Sequence, residues 1–223
     1  MAGPPDWSEL ARRGQERYRD GESRVGEIGD ADVRQRQLTR LGNAAWAVAL
    51  ALLMSGRGGE ARDWLARSAE RYRESWDEAP PESWGRPIGA MKARLLADDR
   101  PAAEAEARWA LDVGARDAPS PIGVYAAVLA LLVLGRDAEA REAASGLRDR
   151  DDFPRAVADA LATLAAGDRA GYLVAVEDVL ESFESRDDFL EDVPVADTVL
   201  VLQALAARRE LAVDLPASPL LPA

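Results

Sequence analysis

The chain contains no cysteine and no histidine, and Lys92 is its only lysine. Without cysteine there can be no disulfide, no thiolate metal site and no thiol nucleophile. Without histidine the usual general base near neutral pH and the commonest transition-metal ligand are both missing, which removes catalytic triads and most zinc sites. An enzyme built on this sequence would have to run on carboxylates, arginine, tyrosine or Lys92. The carboxylates come as runs along single helices and loops, not as a convergent pair. The expectation is therefore no enzymatic activity, no cofactor and no metal.

Long apolar runs are scarce too. The longest, residues 44–54 and 125–134, are about half the ~20 residues that a bilayer-spanning helix needs. The N-terminal stretch MAGPPDWSELARRG lacks the apolar segment of a secretory signal, so a soluble, cytoplasmic protein is expected. Positive charge is in deficit: 28 basic against 40 acidic residues give a formal charge of -12. Such a surface repels nucleic acid and anionic membranes, so neither is an expected partner, whereas a basic protein is. Adaptation to a salt-rich cell would produce the same acidic excess.

What is present is helical periodicity. The central stretch VYAAVLALLVLGRDAEAREAASGLR, residues 124–148, reads as an apolar helix, a tight turn at Gly135 and an amphipathic helix. Leu129, Leu132 and Val133 recur at the spacing that shares one helical face. The turn pattern Gly-x-x-x-Glu-Ala occurs at Gly56 and again at Gly135, a partial copy with Pro101 in the first helical turn begins at Arg100, and a degenerate one begins at Gly167. These anchors are spaced 44, 35 and 32 residues apart, near the ~34-residue helix–turn–helix unit of the tetratricopeptide class. The sequence predicts a single all-α domain of about ten helices, a right-handed tetratricopeptide-like stack of antiparallel hairpins. Residues 1–30 form a first helix and a glycine-marked loop at Gly21, Gly26 and Gly29. Residues 31–184 form four hairpins, and residues 185–223 form a capping helix and a Pro-rich tail.

Two stretches carry candidate binding residues. Trp76, Trp84 and Arg86 lie in the irregular segment WDEAPPESWGR, where Pro80 and Pro81 prevent helix; aromatics in a polar loop are enriched at binding hot spots. The competing reading folds both tryptophans back as lids over adjacent hairpins. Asp187, Asp188, Glu191 and Asp192 follow an acidic helix that carries Glu177, Asp178, Glu181 and Glu184. These carboxylates lack the Asp-x-Asp-x-Asp-Gly framing of a calcium loop, and they read as a solvated face or as a docking surface for a basic partner.

The final third resembles the immunity protein 49 family, all-α proteins predicted to neutralise toxins of polymorphic toxin systems. The matching features are an Ala-rich helix ending in Ala-Gly-Asp at residues 166–168 and a helix bearing an aromatic and several acids. A last Leu/Ala-rich helix and a tail of the form x-Val-x-Leu-Pro-x-Ser-x-Leu-Leu-Pro up to Pro222 complete the pattern. The resemblance implies a non-catalytic immunity protein that occludes a cognate toxin. Its motifs are structural and assign no binding residue. The alternative is a general helical-repeat scaffold that binds a peptide or helix in its concave groove.

Overall fold

A computed structural model describes residues 5–222. The first four residues, which begin the stretch read above as free of a secretory signal, and Ala223 lie outside the described residues. The described residues fold into ten α-helices: α1 (Trp7–Val25), α2 (Ala31–Met54), α3 (Gly58–Glu74), α4 (Gly85–Leu96), α5 (Arg100–Asp112), α6 (Pro121–Val133), α7 (Asp137–Arg148), α8 (Arg155–Ala166), α9 (Arg169–Glu184) and α10 (Asp197–Ala207). Short 3-10 turns occur at Ala115–Asp117 and Leu190–Asp192, and there is no strand among the described residues. Each helix from α1 to α9 packs on its sequence neighbours, and α4 also meets α6, as α6 meets α8. The result is an all-α stack of helical hairpins, with α2, α4, α6 and α8 in one layer and α3, α5, α7 and α9 in the other.

Local chemistry sets the boundaries. Asp6, Asp30, Asp99, Ser120 and Asp168 each accept a hydrogen bond from a backbone N–H in the first turn of the helix that follows. Three hairpins turn through a left-handed glycine: Gly56 (φ +71°), Gly135 (φ +69°) and Gly167 (φ +70°). In the remaining hairpin Asp98 (φ 54°) takes that conformation. The recurring motif gains its glutamate from an ion pair one turn long: Glu60 holds Arg57 at 2.7 Å and Glu139 holds Arg136 at 2.7 Å.

Gly21 does not open a loop; α1 runs through it to Val25. A Cβ there would lie 2.5 Å from Gln37 Nε2 and 2.9 Å from Leu41 Cδ2, so the glycine exists to let α1 close on α2. A tighter fit occurs one layer on. The Tyr72 ring of α3 is clasped between Gly42 of α2 and Gly89 of α4, where added Cβ atoms would come within 2.9 and 2.5 Å of it. Its hydroxyl donates to Asn43 Oδ1 at 2.8 Å.

The largest core cluster runs from α4 to α10 and surrounds α6, whose residues from Tyr125 to Val133 are all buried. A helix apolar on all sides needs cover on all sides. The last helix supplies part of it. Sequence placed α10 as a cap at the end of the stack, but it packs against α4 on one side and α8 and α9 on the other, inside the layer of first helices. The reason is apolar area: Val199, Val201, Leu202, Leu205 and Ala206 are buried there, more faces than an end cap could satisfy. The tail then runs extended beside α9. Gln203 donates to Val213 O (2.6 Å), Ser218 donates to Glu184 (2.6 Å), and the Ala196 N–H donates to Leu220 O (3.0 Å).

Candidate functional site

The inner face of the stack is where a repeat scaffold ordinarily receives a ligand. Here the chain itself occupies it. After α9 the backbone crosses to α2, where the turn at Leu190–Asp192 packs. Val193 and Val195, each 2 % exposed, then join a cluster that includes Trp46 and Leu50 of α2 and Ala90 and Ala93 of α4. Helix α10 continues the cover over α4 and α8.

At the join between crossing segment and helix lies the sole lysine. Lys92 Nζ contacts Asp197 Oδ2 at 3.2 Å and donates to Thr198 Oγ1 at 3.1 Å. Burial alone would depress the ammonium, but Asp197 and the neighbouring Tyr125 hold its pKa above the ordinary value, so it stays charged at neutral pH. A permanently protonated lysine is a tether and a poor nucleophile. Tyr125 is pushed up by burial, partly offset by Lys92. Tyr72 is pushed well above its usual value, by burial first and by the Asp197 charge second. No feature of the local sequence marks Asp197, Thr198 or Tyr125; the one visible signal was a lone lysine in an apolar helix.

The residues singled out by sequence fall into two groups that share no hydrogen bond, ion pair or recess. Trp84 is 5 % exposed and packs at a tilt of 44° against Trp76 (5.5 Å between centroids), which meets Trp109 edge-on at 5.6 Å. Trp84 Nε1 donates to Glu82 (2.9 Å), which also accepts from Ser120 Oγ (2.6 Å); those bonds hold the Glu82 carboxyl below its usual range. Trp76 stays half-buried and, with Asp77, Pro80, Pro81 and Val113, lines a shallow recess of ≈ 500 Å³. Arg86 turns inward: its Nε donates to Ser75 Oγ at 2.9 Å and its Nη2 to Gln35 Oε1, and burial lowers its pKa. Gln35 is itself buried and bonded to Asp32 at 2.9 Å. This arginine is a strut between α2 and α4.

In the acidic group, Asp187 and Asp188 are exposed and unpaired among the described residues. Glu191 is bound to Arg17 of α1 at 2.8 Å, and Glu191 and Asp192 both adopt left-handed backbone (φ 57° and 59°) where the chain reverses over α2. Thus Glu191 anchors the crossing segment, while Asp187 and Asp188 face solvent. No grouping of three or more acidic side chains that could hold a metal occurs among the described residues, and no helix there is long and apolar enough to cross a membrane. Comparison with protein-family models, with curated proteins and with solved structures finds no significant match.

Proposed function

We propose that this chain is a non-catalytic protein-binding protein, an immunity protein that neutralises a cognate basic toxin by covering its surface. The observation that carries the reading is the run of carboxylates on the outer side of α9 and just after it. Glu177, Asp178, Glu181, Asp187 and Asp188 are all exposed, and none is in an ion pair among the described residues. Many other acids in the molecule are tied to arginines, as Glu9 is to Arg12 and Arg13 and Asp159 is to Arg148 and Arg155. Unneutralised carboxylates in a row steer a basic partner and speed its capture. The resemblance of the last third to immunity proteins supplies the class of partner.

The alternative, a peptide in the inner groove, requires α10 to leave and expose Val199, Leu202 and Leu205. Occupancy of that face by the chain's own helix favours the outer surface. The test is co-expression with the product of the neighbouring gene. Growth should collapse with the neighbour alone, recover with this chain, and collapse again with the Glu177→Lys/Glu181→Lys/Asp187→Lys/Asp188→Lys variant, whose Tm should stay within a few degrees of wild type. Glu191 is left out because its reversal would break the Arg17 tether. A harmless neighbour, or toxicity that the wild-type chain does not relieve, removes the reading.

A further inference from the structure

On a protein of net charge -12, three arginines converge on one small recess. Arg100, Arg208 and Arg209 line a space of ≈ 160 Å³ with Leu132, Val133, Gly135 and Asp137, between the α4–α5 turn, the α6–α7 turn and the C-terminal end of α10. The three are not equivalent. Arg209 is fully engaged, donating to Leu132 O, to Leu205 O at 3.1 Å and to Asp137. Arg100 reaches Glu104 of its own helix at 3.1 Å, and its side chain is 75 % exposed. Arg208 has nothing: its Nη1 and Nη2 are shielded from solvent without a hydrogen-bond partner among the described residues.

An unpaired guanidinium out of water is among the costliest groups a fold can hold, and arginine cannot escape by losing its proton. Burial, with Arg100 beside it, holds the Arg208 pKa below the usual value, and Asp98 and Glu104 favour its charge only through space. Glu104 is bonded to Arg100 and Arg108, Asp137 to Arg209, and Asp98 makes no bond to it. Of the helix ends around the recess, the first turn of α7 is the one that favours negative charge, and the two acids it carries, Asp137 and Glu139, are themselves paired with Arg209 and with Arg116 and Arg136. The α6 carbonyls at 131 and 132 are already taken by the N–H groups of Arg136 and Gly135 and by Arg209, whereas no side chain caps the first turn of α7. The volume is well below the ~300 Å³ at which pockets for drug-sized ligands begin, yet roomy for one tetrahedral ion.

We propose that Arg208, with Arg100 and the first turn of α7, binds a free inorganic oxyanion of the phosphate or sulfate type, which pins the end of α10 to the hairpin turns. Arg100, the exposed member, swings aside to admit the ion and closes over it.

The experiment measures Tm of the full chain in chloride and in phosphate at matched ionic strength, so that general screening of the -12 charge is held constant. With half-saturation near ~1 mM, 10 mM phosphate should raise the wild-type Tm by about 4 °C. Arg208→Gln should abolish that rise while melting in chloride no lower than wild type, since it removes an unpaired charge. Arg100→Gln, at an exposed position that cannot unfold the chain, should reduce the rise. Equal phosphate responses in wild type and Arg208→Gln, or none beyond chloride, would overturn the site. A response to phenyl phosphate as large as that to phosphate would overturn the free ion in favour of a phosphoryl group carried on a larger molecule.

Discussion

Residues 189–196 and helix α10 cover adjoining parts of one inner face, the first over α2 and α4 and the second over α4, α8 and α9. The extended segment offers two apolar knobs, Val193 and Val195, and is otherwise tethered by charge: Glu191 to Arg17 at its start and Asp197 to Lys92 at its end. Beyond the contacts of Asp197 and Thr198 with Lys92 in its first turn, the helix presents a continuous apolar face and one bonded polar side chain in its middle, Gln203, which accepts from the phenol of Tyr172 at 2.9 Å and donates to Val213 O. An extended backbone alternates its side chains and leaves its own N–H and C=O groups to be satisfied elsewhere, so it buries little apolar area per residue. A helix satisfies its backbone internally and can commit a whole stripe. The extended half should therefore be sensitive to salt, and the helical half should not.

The largest expected effect lies in the helical half. Leu202→Ala or Leu205→Ala should cost about 2–5 kcal/mol in urea unfolding, because each leaf of the cavity is lined by helices that cannot collapse. If either costs less than Val193→Ala, at about 1–2 kcal/mol, the division between the halves is wrong. Next comes the junction. Lys92→Met should cost about 2 kcal/mol by stranding Asp197, and the double variant Lys92→Met/Asp197→Leu should recover most of it. Additive losses in that cycle would mean that the two groups do not interact.

The alkaline limb is the third test. Tyr72, Tyr125 and Tyr172 are all raised above the ordinary phenol value of 10.0, chiefly by burial. Above pH ~10 the unfolded chain has lost protons that the folded chain retains, so stability is full below that pH and falls as pH rises through the folded values. Lys92, also raised, adds a contribution present below its unfolded value of 10.5 and lost as pH climbs through its folded one. Urea midpoints at pH 8, 10 and 11 should fall in that order for wild type and fall less for Tyr72→Phe. The smallest effect belongs to Arg17→Gln. This pair is partly exposed, so the loss should stay below about 1 kcal/mol and vanish in 1 M salt.

What was legible in the sequence was whatever one turn of chain determines. Gly56, Gly135 and Gly167 announced their hairpins because a left-handed residue is needed there, and Pro101 marked the second hairpin turn although Asp98 stands where glycine might have been. The hairpins were expected to begin at residue 31, and α2 does begin at Ala31, where Asp30 caps it. Gly21 misled because glycine signals both a turn and a close approach, and only the position of Leu41 on another helix decides between them. Arg86 looked like a loop residue until Gln35, on a different helix, was found to receive it. The place of α10 was beyond reach: its key polar partner, Lys92, is 105 residues away, and no local pattern encodes such a distance. The two candidate groups were found as residue types, but their separation, and the structural duty of Glu191, are properties of the folded chain alone.

The crossing segment also works as a ruler. Six residues lie between the end of α9 at Glu184 and Glu191 on its tether, and that connection reaches at most about 25 Å. Open-ended repeat proteins gain and lose hairpins freely during evolution, since each unit answers only to its neighbours. One more hairpin here would move α2 away by roughly another 10 Å per added helix layer, a large share of that reach. The length of a connecting loop thus limits the number of repeats, and a duplication within the stack is expected to need an insertion between Glu184 and Glu191.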